Sequence, residues 1–286
     1  MSELASESST QRGPAWRRVG YVAVVAVAVA FAVVPLLWMV STSLKSNREI
    51  TQDGTLIPDS FTFANYASLF NGREFGAYLT NSIVVTAVSV AIALLFGTHA
   101  AYAVARFRLW RGMERYVGLA LLVTRIVPPI VIIIPAFLLA QGFGVLNSKL
   151  GLIVMYSAFN VSVVVWMMES FFREIPVDLE EAAMVDGDTR FAAFRRIVLP
   201  LAAPGLVGVF VLMLTFSWNE YFFALILTFG KAVTVPIFVQ NQINSAQNVG
   251  WWNVAAIGVS SFLPLALVAL LLERYIRRGL TMGAVK

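Results

Sequence analysis

The sequence predicts an all-α integral membrane protein with six transmembrane helices and both termini in the cytoplasm. Three observations carry this reading. Of the 286 residues, 59% are hydrophobic and 13% charged, with a mean hydropathy of +0.78, whereas a soluble domain carries about 25% charged residues. Six apolar segments approach the roughly 20 residues needed to cross a hydrocarbon core. The 21 Lys and Arg are shared unevenly between the segments that join them: fifteen fall on the side that holds both ends, five on the other, and Arg125 lies inside a span. Basic residues collect on the cytoplasmic side of membrane proteins, which sets the orientation. The same bias accounts for the net charge of +5 and leaves no reason to invoke nucleic acid.

In chain order, residues 1–15 are polar and Ser-rich and lack the short apolar core and cleavage site of a signal peptide. They read as a disordered cytoplasmic tail, and 16–286 as one six-span domain. The spans are Val19–Leu44, Ser82–Ala103, Tyr116–Leu139, Leu150–Met168, Gly205–Thr228 and Trp251–Leu272. Between the first two, "PDSFTFANYASLF" reads as a small packed surface segment. "VPPIVIIIP", Val127 to Pro135, kinks the third span, as proline does. The outer loop Phe229–Gly250 is rich in Asn, Gln and Ser but carries only Lys231 as a charge. It suits either a hairpin touching a neutral polar ligand or a plain connector.

One stretch stands apart. "IPVDLEEAAMVDGDTRFAAFRRIVLPLAAP" packs five acids and three arginines into an apolar chain, within a cytoplasmic insert at 176–204. Asp178 and Glu181 have capping-box spacing, and three carboxylates crowd the first turn, where the helix dipole favours them. Leu179, Ala182, Ala183 and Asp186 repeat at i, i+3, i+4, i+7 and so share a face, and the two alanines let another surface approach. Gly187 fits a helix stop, and Asp188 or Thr189 can cap the next helix. There Phe191, Phe194 and Val198 repeat at helical spacing, with Ile197 beside them, before Pro200 and Pro204 end that helix and begin the fifth span. The insert is either a loop packed on its own domain or a docking element that passes a push from a soluble partner into the membrane.

The pattern Glu181-Ala182-Ala183, Asp186-Gly187, Phe194, Ile197, Leu199-Pro200-Leu201 and Pro204 resembles the cytoplasmic coupling motif of ABC importer permeases. Asp-Gly after the alanines resembles the carbohydrate subgroup. "IPVDLEEAA" and the tail "RYIRRGLTMGAVK" look like the MalG-like subunit of maltose-type importers, whose fold is the MetI/maltose-type permease. Asp188 departs from the pattern, where the family has a small residue. The resemblance implies a multi-pass subunit of the bacterial inner membrane, in contact with lipid. It also implies a second permease subunit, two ATP-binding subunits and an extracellular solute-binding lipoprotein or periplasmic protein. Glu181, Ala182, Ala183, Asp186, Gly187, Phe194, Ile197, Leu199 and Pro200 would then form the ATPase-coupling element. The solute would be a sugar or sugar-like molecule, and the outer loop, with Gln240, Asn241 and Asn244, would reach the binding protein.

No cofactor is expected in this chain. It has no G-x-x-x-x-G-K-[ST] phosphate loop, so ATP and Mg would be used by the partner subunits. The absence of cysteine and the single histidine, His99, exclude disulfides and Cys- or His-based metal sites. Without a constellation of catalytic groups, a transport subunit is expected rather than an enzyme. Ionisable and amide groups inside spans mark a substrate pathway or interhelical contacts. Trp218, Asn219, Glu220 and Tyr221 combine aromatic faces with hydrogen-bonding groups, which suits a sugar, or else they form an outer aromatic belt around a structural carboxylate. Asn160 is interhelical glue or pathway. Arg125 snorkels or pairs within a subunit interface. The rival is a proton-coupled secondary transporter, which would show an inverted repeat and a carboxylate relay; the sequence shows neither.

Overall fold

The computed structural model describes residues 15–52, 55–72, 74–107, 113–244 and 250–282, and these are helical with short connections and no strand. The helices are α1 (Ala15–Ser43), α2 (Asn47–Gln52), α3 (Ala64–Asn71), α4 (Glu74–Arg106), α5 (Met113–Ile126), α6 (Pro129–Gly142) and α7 (Lys149–Glu174). They continue as α8 (Asp178–Val185), α9 (Arg190–Ala193), a π-helical turn (Phe194–Val198), α10 (Leu199–Trp218), α11 (Phe222–Leu227), α12 (Val235–Asn244) and α13 (Trp251–Met282). The expected tail at 1–15 lies outside the described residues except for Ala15, where α1 begins.

Among the described residues, five helices are long and apolar enough to cross a membrane: 17–43, 74–106, 149–174, 190–218 and 252–273. The third expected span, Tyr116–Leu139, is instead two helices. Pro128 removes a backbone donor and forces extended geometry ahead of α6, so α5 and α6, 14 residues each, are about 21 Å long. The side chain of Arg125 lies outside the described residues. The fifth expected span, Gly205–Thr228, breaks at Asn219–Tyr221 between α10 and α11. It also begins earlier than expected. Pro200 and Pro204 do not end the preceding helix, because the π-turn leads directly into α10 and Pro200 falls in α10's first turn, where its missing N–H goes unneeded.

The core lies between α4, α7 and α10. Val90, Ala93, Val164, Met168, Val209 and Met213 are buried there. Small residues set the spacing. A Cβ on Gly97 of α4 would stand 2.6 Å from the Val164 side chain of α7, and one on Gly205 of α10 would stand 2.6 Å from the Phe171 ring. A second cluster joins α6, α7 and α11 through Ile133, Leu152, Tyr156, Phe223 and Leu227. Helix α1 buries none of its apolar window within the chain.

Buried amides hold the N-terminal end of α4. Asn81 of α4 donates through Nδ2 to the carbonyls of Lys231 and Val233, both at 2.9 Å, and Val235 N–H donates to Ser82 Oγ at 2.8 Å. The loop Phe229–Gly250 is therefore not a hairpin. It is a return segment and a helix, α12, that buries Val235, Ile237 and Phe238. Around α3, Asn65 donates to the carbonyls of Ser43 and Lys45 at 2.8 and 3.0 Å, the packed surface segment expected there.

Candidate functional site

The charged insert folds as α8, a glycine turn and α9. Val177, rather than Asp178, is the N-cap residue of α8, and no side chain caps it. The capping box is absent because the helix starts one residue earlier than the spacing implies: the N–H groups of Glu180 and Glu181 donate to the Val177 carbonyl at 2.9 and 3.1 Å. At the other end Gly187 has φ +96°. Gly187 N–H donates to Met184 O at 3.2 Å and Asp188 N–H to Ala183 O at 3.0 Å, which is a Schellman stop. Thr189 caps α9 by accepting from Ala192 N–H at 3.2 Å. Asp188 pairs with Arg196 at 2.7 Å on the surface.

The two faces of α8 differ from the expected partition. Glu180 and Ala183 turn inward, while Leu179, Glu181, Ala182 and Asp186 are exposed. Leu179, Ala182 and Asp186 share the outward face, and Ala183 belongs to the inner one. Around Glu181 the surface is partly apolar: Val177 and Val185, one turn before and after it, are 45 and 87% exposed, and Leu179 and Phe191 are also exposed on the insert. Phe194 is buried among Tyr102 of α4 (ring centroids 4.4 Å apart), Phe172 of α7 and His99. Ile197 and Leu199 are half-buried and Pro200 exposed.

The residue missed in the sequence is Glu180. Its carboxylate accepts from Arg106 Nε and from the Tyr102 hydroxyl, both at 2.5 Å. Arg106 also donates through Nη2 to the Ile175 carbonyl at 2.8 Å, at the C-terminal end of α7, where a cation is favoured. The available signals were the i, i+4 spacing of Tyr102 and Arg106 at the end of an apolar helix, and two adjacent glutamates that one helix face cannot share.

In the membrane region a cavity of about 340 Å³ lies between α6, α7 and the α10–α11 break. Asn160, Asn219 and Glu220 line it, with Tyr156 and Phe159. Asn160 donates to Ser217 Oγ at 2.6 Å, so it serves both as helix contact and as cavity wall. Both Glu220 oxygens accept from the first turn of α11, from Phe223 N–H at 3.1 Å and Ala224 N–H at 3.3 Å. Asn219 is exposed and donates to Thr215 O at 2.9 Å. Trp218 does not join this cavity; its indole N–H donates to Ser261 O of α13 at 3.1 Å. Tyr221 packs on the α6–α7–α11 cluster instead. Gln240 and Asn241 lie on α12, half-buried and exposed respectively; the side chain of Asn244 and residues 245–249 lie outside the described residues. No group of three or more metal-binding side chains occurs among the described residues.

Residues 93–282 match the family described as the binding-protein-dependent transport system inner membrane component. This chain belongs to that family. It is thus a multi-pass inner-membrane permease component of a binding-protein-dependent transport system, and membership does not favour the proton-coupled alternative. The chain is 40% identical to the trehalose transport system permease protein SugB of Mycobacterium tuberculosis over 94% of this chain and 98% of that one. It is 31% identical to the trehalose/maltose transport system permease protein MalG of Thermococcus litoralis, covering 88% and 91%. A bacterial ABC transporter involved in the import of the acidic polysaccharide alginate has the same fold, with a TM-score of 0.76 at 24% identity over 91% of this chain and 96% of that one.

Proposed function

We propose that the chain is one permease subunit of an ATP-driven importer that moves a sugar or sugar-like solute into the cytoplasm. It would work with a second permease subunit, two ATP-binding subunits and an extracellular solute-binding protein. It would not itself be an enzyme: ATP and Mg belong to the partner subunits, and both termini and the insert face the cytoplasm. The names of the relatives above support a sugar, as does the cavity. Two amides, a carboxylate and two aromatic residues match a polyhydroxylated ring with an apolar face.

The observation that carries the coupling role is the outward face of α8. Glu181 stands exposed between Val177 and Val185, one turn to either side of it, a partly apolar strip with an acidic centre that a cleft on the ATP-binding subunit would cover. Behind it, helix runs without interruption from Arg190 to Trp218, so a displacement at the insert reaches the α10–α11 break beside the cavity. Glu181, Ala182, Asp186 and Gly187 make the docking surface and its turn. Ala183, Phe194, Ile197, Leu199 and Pro200 set that surface on the membrane domain. On the outer side, Gln240, Asn241 and Asn244 approach the binding protein.

Two measurements test this. ATP hydrolysis by the reconstituted complex, screened across sugars and polyols with loaded binding protein, should rise for one solute class. Glu181→Lys should leave permease abundance in the membrane unchanged and abolish recovery of the ATP-binding subunit by pull-down. Wild-type pull-down and uptake in that variant would remove the coupling role.

A further inference from the structure

We infer that Arg106, Glu180 and Tyr102 form a rigid joint that fastens the inner side of α8 to the ends of α4 and α7, so that a push on α8 moves that helix pair together with α10. The inference rests on the coupling role proposed for α8. It assigns the joint to residues that the coupling pattern does not include.

Three observations support it. The pair is sealed: the Arg106 and Glu180 side chains are 6% and 5% exposed. Each partner is engaged more than once. Glu180 receives Arg106 Nε and the Tyr102 hydroxyl, and Arg106 also reaches the Ile175 carbonyl. The joint thereby spans three elements, the last turns of α4 and α7 and the first turn of α8. Finally, it abuts the aromatic cluster that holds the other end of the insert, because the Tyr102 ring that donates to Glu180 also packs on Phe194. Helix α8 and the π-helical turn that follows α9 are thus both held to α4 through one tyrosine.

A buried ion pair adds little net stability, but leaving one partner unpaired in the interior is unfavourable. Its geometry is therefore specific. If α8 slid along the membrane domain, two bonds to Glu180 would break at once. Without the joint, α8 could move under its partner while α4 and α7 stayed behind, and only the Arg190–Trp218 helix would carry the displacement. Arg106, Glu180 and Tyr102 are in this sense positioning residues for transport.

The test uses the complete importer in liposomes, with solute uptake and ATP hydrolysis measured together. Glu180→Gln and Arg106→Gln are expected to retain their ATP-binding subunits and to hydrolyse ATP. Solute moved per ATP should fall about tenfold, the scale of one coupling free energy between sites. Arg106→Lys should recover part of that loss. The chain has no cysteine, so a Glu180→Cys/Arg106→Cys pair, with cysteine-free partner subunits, can be joined by a short bis-methanethiosulfonate. Joining should restore solute per ATP, and the two single cysteine variants should not respond. Unchanged solute per ATP in both Gln variants overturns the inference. So does a joined pair that keeps its ATP-binding subunits but stays uncoupled. Should the Gln variants fail to assemble, the joined pair decides in the same way. Failure of the docking role would look different: Glu181→Lys would keep its ATP-binding subunit whatever the Glu180 variants did.

Discussion

Gly187→Val tests whether the geometry of the glycine turn, rather than its size, sets the coupling surface. At φ +96° any side chain is strained, and a Cβ there would meet nothing within 4 Å. The penalty is therefore one of backbone conformation, about 1–2 kcal/mol for an L-residue and more for a β-branched one. The chain can escape it by leaving positive φ, but that breaks the two Schellman bonds to Met184 and Ala183 and changes the angle between α8 and α9. A change of 1–2 kcal/mol alters the ratio of the two turn geometries about 5- to 30-fold. Beyond Thr189 the chain is one continuous 29-residue helix, Arg190–Trp218, that runs into the apolar domain, so α8 is the part that gives. Uptake, membrane abundance and recovery of the ATP-binding subunit should be measured on the same cells. Gly187→Val is expected to keep its abundance and abolish uptake. Gly187→Asn, similar in volume but tolerant of positive φ, should retain a measurable share. Full uptake in Gly187→Val, or a Gly187→Asn variant worse than Val, would refute the reasoning.

Three further outcomes are expected. Asn219→Ala should leave complex yield unchanged and raise the solute concentration for half-maximal uptake about fivefold, the scale of one hydrogen bond of roughly 1 kcal/mol. Glu220→Gln should mainly lower complex yield and thermal stability, because it removes one of the two carboxylate acceptors at the start of α11, a capping loss of about 0.5–2 kcal/mol. A cysteine at Asn244 should crosslink to the binding protein in the outward state, and no crosslink anywhere along 240–247 in an active complex would count against contact there.

Much of this architecture was legible in the sequence because membrane burial leaves a strong trace. Long uncharged runs located α1, α4, α7 and α13, and Gly187 marked its own turn. The failures share a cause. Proline was read as a terminator at Pro200 and as a bend at Pro128, yet its effect depends on which backbone donor is needed at that position. At Pro200 a π-turn upstream made the missing N–H harmless; ahead of α6, the Pro128-Pro129 pair broke the span in two. The break at Asn219–Tyr221 has no proline and no glycine, and hydropathy could not show it. Trp218 and Tyr221 looked like cavity residues because they sit beside Glu220 in sequence. Helix geometry turns neighbours about 100° apart, and here it sends Trp218 toward α13 instead.

The same geometry accounts for the charged insert in a chain that otherwise avoids charge. Glu180 and Glu181 are adjacent, so one cannot face the membrane domain without the other turning away from it. Glu180 enters a site where Arg106, itself held by the carbonyl at the end of α7, neutralises it and Tyr102 donates to it, and these bonds fix the rotation of α8 about its own axis. That rotation presents Glu181, with Val177 and Val185 one turn to either side, on the exposed face of α8. The alanine at 183 fits beneath because its side chain is small enough to lie against the membrane domain. An apolar residue at 180 could pack just as tightly, but it would tolerate several rotations, and each would move Glu181 along the surface. The buried charge thus limits where the exposed one can be. Variants at 180 should therefore shift how movement is transmitted, while variants at 181 should decide whether the partner binds at all.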